Sequence, residues 1–286
     1  MRISVSILSQ TGGHGDAMMP SGVSTSLFGN ANPERPNTIV DGPDEVRKAV
    51  RLLLRAGADF IKLCSTGGVL SPSDEPGHTQ FTEAEIRVMV EEAASAGKTC
   101  MAHAQGVEGI KNALRAGVES IEHGIYIDDE AIDMMKRDGR FLVPTFVAPI
   151  WVLRHAERQP GSMLPQSVRK TKEVMEDHKR NVAHAIASGV KVAMGTDSGV
   201  GLHGTNAEEL SVMVECGMTP MQAIVATTKT GSECLHMQND VGTIEAGKLA
   251  DILIVDGDPL ADIGILRDKA NIPVIIKGGD VYRDNR

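Results

Sequence analysis

The feature that most constrains this chain is a unit that recurs between Arg51 and Asp197: an amphipathic segment, a glycine, and a short apolar run. Glycine just past a helix adopts the left-handed conformation without strain. Runs that are apolar on both faces are typical of parallel strands covered by helices. The unit occurs in RLLLRAGADFIKL, EEAASAGKTCMAH, KNALRAGVESIEH, MKRDGRFLVPT and HAIASGVKVAMGTD. Such units in sequence, without hairpin signals between them, predict a parallel α/β domain.

Several helices carry further signals. Thr82 and Glu85 form a capping box, in which the side chain of each bonds the backbone N–H of the other. The apolar residues that follow repeat at helical spacing; they are Ile86, Met89, Val90 and Ala93. Segments 44–55 and 167–188 are also predicted to be helical.

The number of strands bears on the type of parallel domain. An opening strand near Ile3–Leu8 brings the count to six. A closed (β/α)8 barrel needs eight, and an open doubly wound sheet is the competing architecture. No GxGxxG loop follows a strand, which disfavours the open sheet. After about Gly231 the helical period ends, and glycine turns separate what we expect to be two or three strands of a small β layer.

Composition excludes some classes of function. Aromatic residues make up 3% of the chain and the net charge is −9, which disfavours a nucleic-acid partner. No apolar run approaches the roughly 18 residues that cross a membrane. The four cysteines show no CxxC spacing, so buried reduced thiols and a cytoplasmic location are expected.

Polar residues recur at the carboxyl ends of the predicted strands, five to eight residues after each helix-ending glycine. They are Lys62, His103, His123, Thr145 and Asp197. Chemistry in α/β barrels is concentrated at these strand ends. Because imidazole and carboxylate suit zinc and its neighbours, two histidines, an aspartate and a lysine on one rim predict a divalent-metal site.

Each of the four candidate ligands also has an explanation that involves no metal. A single histidine at a strand end is more often a hydrogen-bonded structural residue than a ligand. Lys62 could be an ion-pair partner or a Schiff-base nucleophile. Asp197, in GTDSG, could cap the next helix. The metal interpretation depends on the common offset of the set rather than on any one member.

Four segments together resemble the amidohydrolase superfamily, and their closest similarity is to the imidazolonepropionase-like and Xaa-Pro or Xaa-Arg dipeptidase (prolidase-like) branch. The resemblance covers nearly the whole chain, and the segments occur in family order. They are GADFIKLCSTGGVLSPSDEPGHTQFTEAEI, MAHAQGVEGIKNALRAGVESIEHG, MGTDSG and VGTIEAGKLADILIVDGDPL.

The resemblance implies an amidohydrolase-type TIM barrel over residues 1–230, incomplete, with about six strands. Residues 231–286 would supply the last barrel helix and the C-terminal strands of a small β-sandwich. Lys62 matches a carbamylated lysine that bridges two divalent ions, with zinc the expected metal. His103 and His123 match the ligands of the more exposed ion. Asp197 matches the aspartate that binds the buried ion and shuttles the proton.

The chain departs from the family pattern in one respect: it contains no His-x-His pair, which members carry on the first strand as ligands of the buried ion. We therefore expect the front two strands to be absent and at most about one ion to bind. Unpaired strand edges would then favour a homo-oligomer.

A second set of residues resembles substrate-facing positions of the family: Tyr126, His78, His203 and His14. The other histidines, His155, His178, His184 and His236, are expected to be solvated or satisfied by hydrogen bonds.

The resemblance implies hydrolysis of a small amide substrate, a dipeptide or an N-acyl amino acid, by metal-activated water. A deaminase or cyclic-amide hydrolase of the same superfamily is the first alternative. A Schiff-base aldolase that uses Lys62 and an inactive truncated fragment are the others.

Overall fold

A computed structural model describes residues 1–16, 18–19, 21–22 and 36–286. Its strands are β1 (Ile7–Leu8), β2 (Ile61–Cys64), β3 (Cys100–Ala104), β4 (Ser120–His123), β5 (Phe141–Val143), β6 (Lys191–Val192), β7 (Ile252–Ile254), β8 (Val274–Lys277) and β9 (Asp280–Asp284). Its α-helices are α1 (Gly42–Arg55), α2 (Glu83–Ser95), α3 (Val107–Ala116), α4 (Asp129–Asp138), α5 (Val147–Arg158), α6 (Pro165–Ala187), α7 (Glu208–Glu215), α8 (Pro220–Thr227) and α9 (Lys229–Cys234).

The main sheet has six parallel strands in the order β1 to β6, which confirms the predicted parallel α/β architecture and strand count. Side chains alternate between the two faces of each strand. Ile61, Leu63 and Ile121 are fully buried in the hydrophobic core. Lys62 and His103 therefore point to the opposite face, the inner face of the curved sheet.

The helix-ending glycines behave as the sequence predicts. Gly57, Gly97, Gly117, Gly139 and Gly189 have φ between 67° and 98°. The capping box before α2 is present, with the Glu85 N–H donating to Thr82 Oγ1 and the Thr82 N–H donating to the Glu85 carboxylate. Helix and strand boundaries in this part of the chain thus follow from local chemistry.

The first strand is shorter than predicted: it covers Ile7–Leu8 rather than Ile3–Leu8. Val5 has a φ of 64°, which no extended strand tolerates. The Ile3 N–H bonds the Asp59 carboxylate instead of a neighbouring strand. These interactions turn the chain before pairing with β2 begins.

The C-terminal region forms the predicted small β layer, an antiparallel sheet in the order β7-β8-β9. Between β7 and β8 lie two 3₁₀ helices that the sequence did not indicate, Ile263–Arg267 and Lys269–Asn271. Asp262 and Asp268 cap them by accepting backbone N–H groups. All four cysteines are buried and free, as predicted. Across the described residues, no helix combines the length and apolarity that a membrane span requires.

Candidate functional site

Three strand-end residues adopt a backbone conformation that side chains other than glycine rarely take. His123, Thr145 and Asp197 have φ values of 74°, 53° and 52°. Alternation along β4 would place His123 on the outer face with Ile121, and the left-handed residue changes the direction of the chain there. Such strained residues cluster at functional sites because the surrounding structure must hold them in place.

His103 and His123 lie side by side at this rim, with ring centroids 4.6 Å apart and planes at 70°. The Nε2 of His103 lies 3.0 Å from the carbonyl oxygen of Gly67, which can only accept, so Nε2 carries the proton. Thr145 donates its hydroxyl proton to the Pro144 carbonyl. Its oxygen, 2.6 Å from His123 Nδ1, therefore accepts from that nitrogen.

These hydrogen bonds leave His103 Nδ1 and His123 Nε2 as free lone pairs. Metal-ligating histidines almost always have this arrangement, with the second ring nitrogen bonded to a fixed partner that sets the tautomer. Burial is the main cause that lowers the pKa of both rings well below the usual value. The imidazoles are consequently neutral, which is the form that binds a metal ion.

Lys62 is bound to a carboxylate that the sequence analysis overlooked. Its Nζ donates to Glu122 Oε2 on β4, and Ser120 Oγ donates to the other carboxylate oxygen at 2.6 Å. Glu122 is 8% exposed. The strand register explains the contact. Lys62 pairs with Met101 and Met101 pairs with Ser120, so Lys62 lies level with Ser120. Glu122 is two residues further along β4 and points to the same face. An ammonium held in this way is not itself a ligand.

Asp197 follows β6 and is exposed to solvent at the mouth of the site. Protein nevertheless surrounds its carboxylate on most sides. Burial raises the pKa of Asp197, and the charge of Lys62 opposes that rise. The side chain contributes to the lining of the same cavity as His103 and His123.

His14 covers one side of the pair. Its ring stacks on His103 with centroids 4.0 Å apart and planes at 13°. His14 Nδ1 lies 2.9 Å from Ser71 Oγ, and the His14 backbone N–H donates to Gln80 Oε1. Burial lowers the pKa of His14 to about 4. Gly68 lies against both rings, since a Cβ there would come 2.3 Å from His14 Cε1 and 2.9 Å from His103 Cε1.

The cavity between these side chains has a volume of about 40 Å³. That space exceeds the roughly 10–15 Å³ that one water needs. Gln105 is 3% exposed and lines the cavity, and its Oε1 has no hydrogen-bond partner. A buried polar atom of this kind indicates a site built to receive a polar group. The other lining residues include His178, Ile125, Pro149 and Val200.

The structure brings together only part of the predicted site. His14, His103, His123 and Asp197 line the cavity. Tyr126, His78 and His203 were predicted as substrate-facing and do not line it. Tyr126 is half-buried, and its pKa is raised by burial and then by Asp177, Glu173 and Glu75. His78 and His203 are exposed on loops.

His178 is a cavity residue that we expected only to be satisfied by hydrogen bonds. It is indeed satisfied, since its Nε2 lies 3.1 Å from the His123 carbonyl oxygen, but it also reaches the site from α6. Its position four residues from Val174 and from Val182, both buried, places it on the inward face of the helix. That spacing was a usable sequence signal.

The residues present fit a divalent ion in part. The two histidines offer free nitrogens toward one cavity, and the unpartnered Gln105 oxygen is consistent with a ligand there. Within the described residues, no group of three His, Cys, Asp or Glu side chains is arranged to hold a metal ion. The described side chains as they stand therefore do not form a complete ligand set, and the amine of Lys62 is paired with Glu122.

Comparison with known proteins gives the family context. The amidohydrolase family model matches residues 15–282. Ochratoxinase of Aspergillus niger is 36% identical over 286 residues, which cover 96% of this chain and 58% of the relative. A solved Xaa-Pro dipeptidase with methionine bound in its active site is 40% identical, with a TM-score of 0.85 and coverage of 97% and 66%.

A third relative is a solved prolidase complexed with N-methylphosphonate-L-proline. It is 34% identical, with a TM-score of 0.89, and the match covers 98% of this chain and 68% of the prolidase. This chain thus spans between about half and two thirds of the length of the relatives it matches. These solved relatives are amidohydrolase TIM-barrel proteins, and the similarity confirms the barrel type of the partial sheet. On the family match and the similarity to ochratoxinase, the chain belongs to the amidohydrolase family.

Proposed function

We propose that this chain carries the site of a metal-dependent hydrolase that cleaves amide bonds of small substrates, either dipeptides or N-acyl amino acids. The observation that carries the proposal is the pair His103 and His123. Each ring has one nitrogen held by a fixed partner and the other free toward a cavity that Asp197 also lines. The relatives named as a Xaa-Pro dipeptidase and a prolidase support a dipeptide substrate.

In this proposal His103 and His123 would hold the ion, with zinc the expected metal. Lys62 would join them only after carbamylation, which replaces a cation by an anionic oxygen donor. The bound ion would supply Lewis acidity for the amide carbonyl and for water.

The remaining chemistry falls to side chains of this chain. Asp197 would accept a proton from the attacking water and deliver it to the leaving amine, since its carboxylate faces the cavity. Gln105 would orient the substrate through its unpartnered Oε1, which can accept a hydrogen bond. The ion pair with Glu122 disfavours Lys62 as a Schiff-base nucleophile, because that reaction needs a neutral, accessible amine.

We further propose that the chain self-associates. Within the described residues, β1 and β6 end the parallel sheet, and residues 38–40 bond to Ser9 just past β1. The edge at β6 is therefore the one that we expect to pair with another chain. Light scattering during size exclusion would give the mass, and a single monomeric peak across a concentration series would contradict self-association.

The test of the hydrolase proposal combines metal analysis with a substrate panel. We expect wild-type protein loaded with zinc to retain the ion after desalting and to hydrolyse members of a panel of dipeptides and N-acyl amino acids. His103→Ala and His123→Ala should lose both properties. His155→Ala, at an exposed histidine of α5, is the matched control and should retain both.

Failure of the wild type to retain zinc would contradict the metal site. Retention of zinc without hydrolysis of any amide in the panel would contradict the substrate class.

A further inference from the structure

Lys170, on the long helix α6, is an ammonium enclosed in protein. Its side chain is 1% exposed. Its three N–H groups are all used, by the carbonyl oxygens of Gly68 at 2.7 Å, Ser71 at 2.7 Å and Asp74 at 2.8 Å. The nearest opposite charge is the Asp74 carboxylate, 3.8 Å away. A buried ammonium is retained only where partners of this quality replace its hydration.

All three carbonyls belong to one loop, residues 67–74, and that loop contacts the two stacked histidines. The Gly67 carbonyl accepts from His103 Nε2. The Ser71 hydroxyl bonds His14 Nδ1. Gly68, whose carbonyl Lys170 binds, is the residue that lies against both rings.

A second layer of hydrogen bonds joins the residues of the 67–74 loop to each other and to Gln80. The Asp74 carboxylate accepts from the Gly68 N–H, from Ser71 Oγ and from Gln80 Nε2. Gln80 in turn accepts the His14 backbone N–H at 2.9 Å. Displacement of Lys170 would therefore alter the surroundings of His14 through both Ser71 and Gln80.

The same helix contacts the strand end that carries His123. His178, two turns after Lys170, lies 3.1 Å from the His123 carbonyl oxygen. Asn181 donates to the Ile125 carbonyl at 2.9 Å. The helix α6 thus contacts both the loop after β2, which bonds His103, and the end of β4, which carries His123.

The chemistry of the Lys170 contact argues against a general packing role. An apolar side chain of similar length would fill the same space without the cost of removing a charge from water. Three carbonyls that converge on one point require a compact three-fold donor. The planar guanidinium of arginine does not match that arrangement.

From these contacts we propose that Lys170 is a positioning residue, which holds the 67–74 loop against α6 and thereby fixes the rings of His14 and His103 beside His123. Its consequence for metal binding rests on the proposed function. The effect of Lys170 on the histidine rings does not rest on the proposed function, because the contacts between the 67–74 loop and the rings are independent of any ion.

The test uses the whole chain with ¹⁵N-labelled histidine, without metal and then with zinc. Lys170→Met removes the donors and keeps the length of the side chain, and Lys170→Arg keeps the charge and changes the donor geometry. Lys172→Met, at an exposed lysine of the same helix, is the matched control. Ring-nitrogen spectra report the tautomers of the histidines, assigned by single His→Gln variants.

We expect the His14 and His103 signals to shift or broaden in both Lys170 variants, while His155 and His184 keep their wild-type signals. Zinc affinity should fall about tenfold, the lower range for loss of an outer contact to a metal-binding histidine. Lys172→Met should match the wild type in every measurement. Folded Lys170→Met with wild-type His14 and His103 signals would overturn the proposal, whatever its thermal stability.

Two further outcomes separate this inference from the proposed function. Wild-type protein that binds no zinc, with histidine signals that still respond to Lys170→Met, would contradict the metal site and support the positioning role. If both Lys170 variants fail to fold, hydrogen exchange of the wild type decides. The Gly67 and Gly68 amides should then exchange as slowly as those of β3, and fast exchange would overturn the proposal.

Discussion

The ring of His14 stacks on the ring of His103, with centroids 4.0 Å apart and planes within 13° of parallel. Nitrogen lone pairs lie in the plane of an imidazole, so two parallel rings cannot both direct a lone pair at one ion. His14 as it stands covers His103 and does not share an ion with it. It is therefore a poor replacement for the ligands that a His-x-His pair supplies.

The first prediction concerns Gly68, where space rather than backbone conformation demands glycine. Gly68→Ala would place a Cβ 2.3 Å from His14 and 2.9 Å from His103, so the rings must separate. We expect a loss of about 1–3 kcal/mol in the free energy of unfolding, typical of overpacking. Zinc affinity should fall at least tenfold. Urea titration and zinc titration measure the two effects.

The control for this substitution is Gly77→Ala in the following turn, where a Cβ meets nothing within 4 Å. Equal effects at the two glycines would show that ring contact is not the cause.

A second prediction tests the hydroxyl that orients His123. Thr145→Val keeps the shape and removes the acceptor for His123 Nδ1. The His123 N–H would be left buried without a partner, which costs about 1–3 kcal/mol. Zinc affinity should fall about 10- to 100-fold. Thr227→Val, which removes only a hydroxyl bonded to the preceding helical turn, is the control and should bind zinc as the wild type does.

The third prediction concerns the pair Lys62 and Glu122, whose side chains are 19% and 10% exposed. Glu122→Gln removes the charge that is hydrogen-bonded to the ammonium, and breaking a buried pair costs about 3–5 kcal/mol. Lys62→Met/Glu122→Gln should be less destabilised than the sum of the single variants. A double-mutant cycle by urea unfolding measures this coupling. The exposed pair Arg169 and Glu173 should give at most about 0.5 kcal/mol in a parallel cycle.

A fourth prediction follows from Glu209 of α7, which is fully buried. Burial raises the pKa of Glu209 to about 8, although the N–H groups of Val147 and Phe146 oppose the rise. The folded protein therefore binds a proton that the unfolded chain releases above its ordinary pKa, near 4.3. The stabilisation is complete below that lower value and is lost as the pH rises through 8.

The measurement is urea unfolding from pH 4 to 9. Relative to Glu209→Gln, the wild type should lose on the order of 5 kcal/mol over this range, since each pKa unit corresponds to about 1.4 kcal/mol and the pKa is raised by between three and four units. Glu208→Gln is the control, because the pKa of Glu208 is shifted in the opposite direction from that of Glu209. Burial raises the pKa of Glu208, but bonds from Arg154 and Trp151 outweigh burial and lower it. Its contribution is therefore lost only in acid, and a pH slope that is the same in the wild type and Glu209→Gln would contradict the prediction.

Much of the architecture was determined by local sequence. Glycines such as Gly57 and Gly117 end helices because only glycine takes the left-handed conformation without strain, and the Thr82 capping box starts a helix through adjacent backbone groups. Parallel strands place their carboxyl ends on one rim, so the common offset of His103 and His123 sufficed to predict that they meet. The predicted start of the first strand at Ile3 was wrong, since Val5 takes a left-handed conformation and Ile3 bonds the distant Asp59, which no local pattern indicates.

Tertiary structure decided which partners those site residues have. Lys170 lies 102 positions from Gly68 along the chain, and Lys62 lies 60 positions from Glu122. No periodicity connects such pairs, because their contact depends on strand register and on where α6 crosses the rim. The identity of the rim residues is thus readable from sequence. Their tautomers, charges and packing exist only once distant segments have removed them from water and supplied hydrogen bonds in its place.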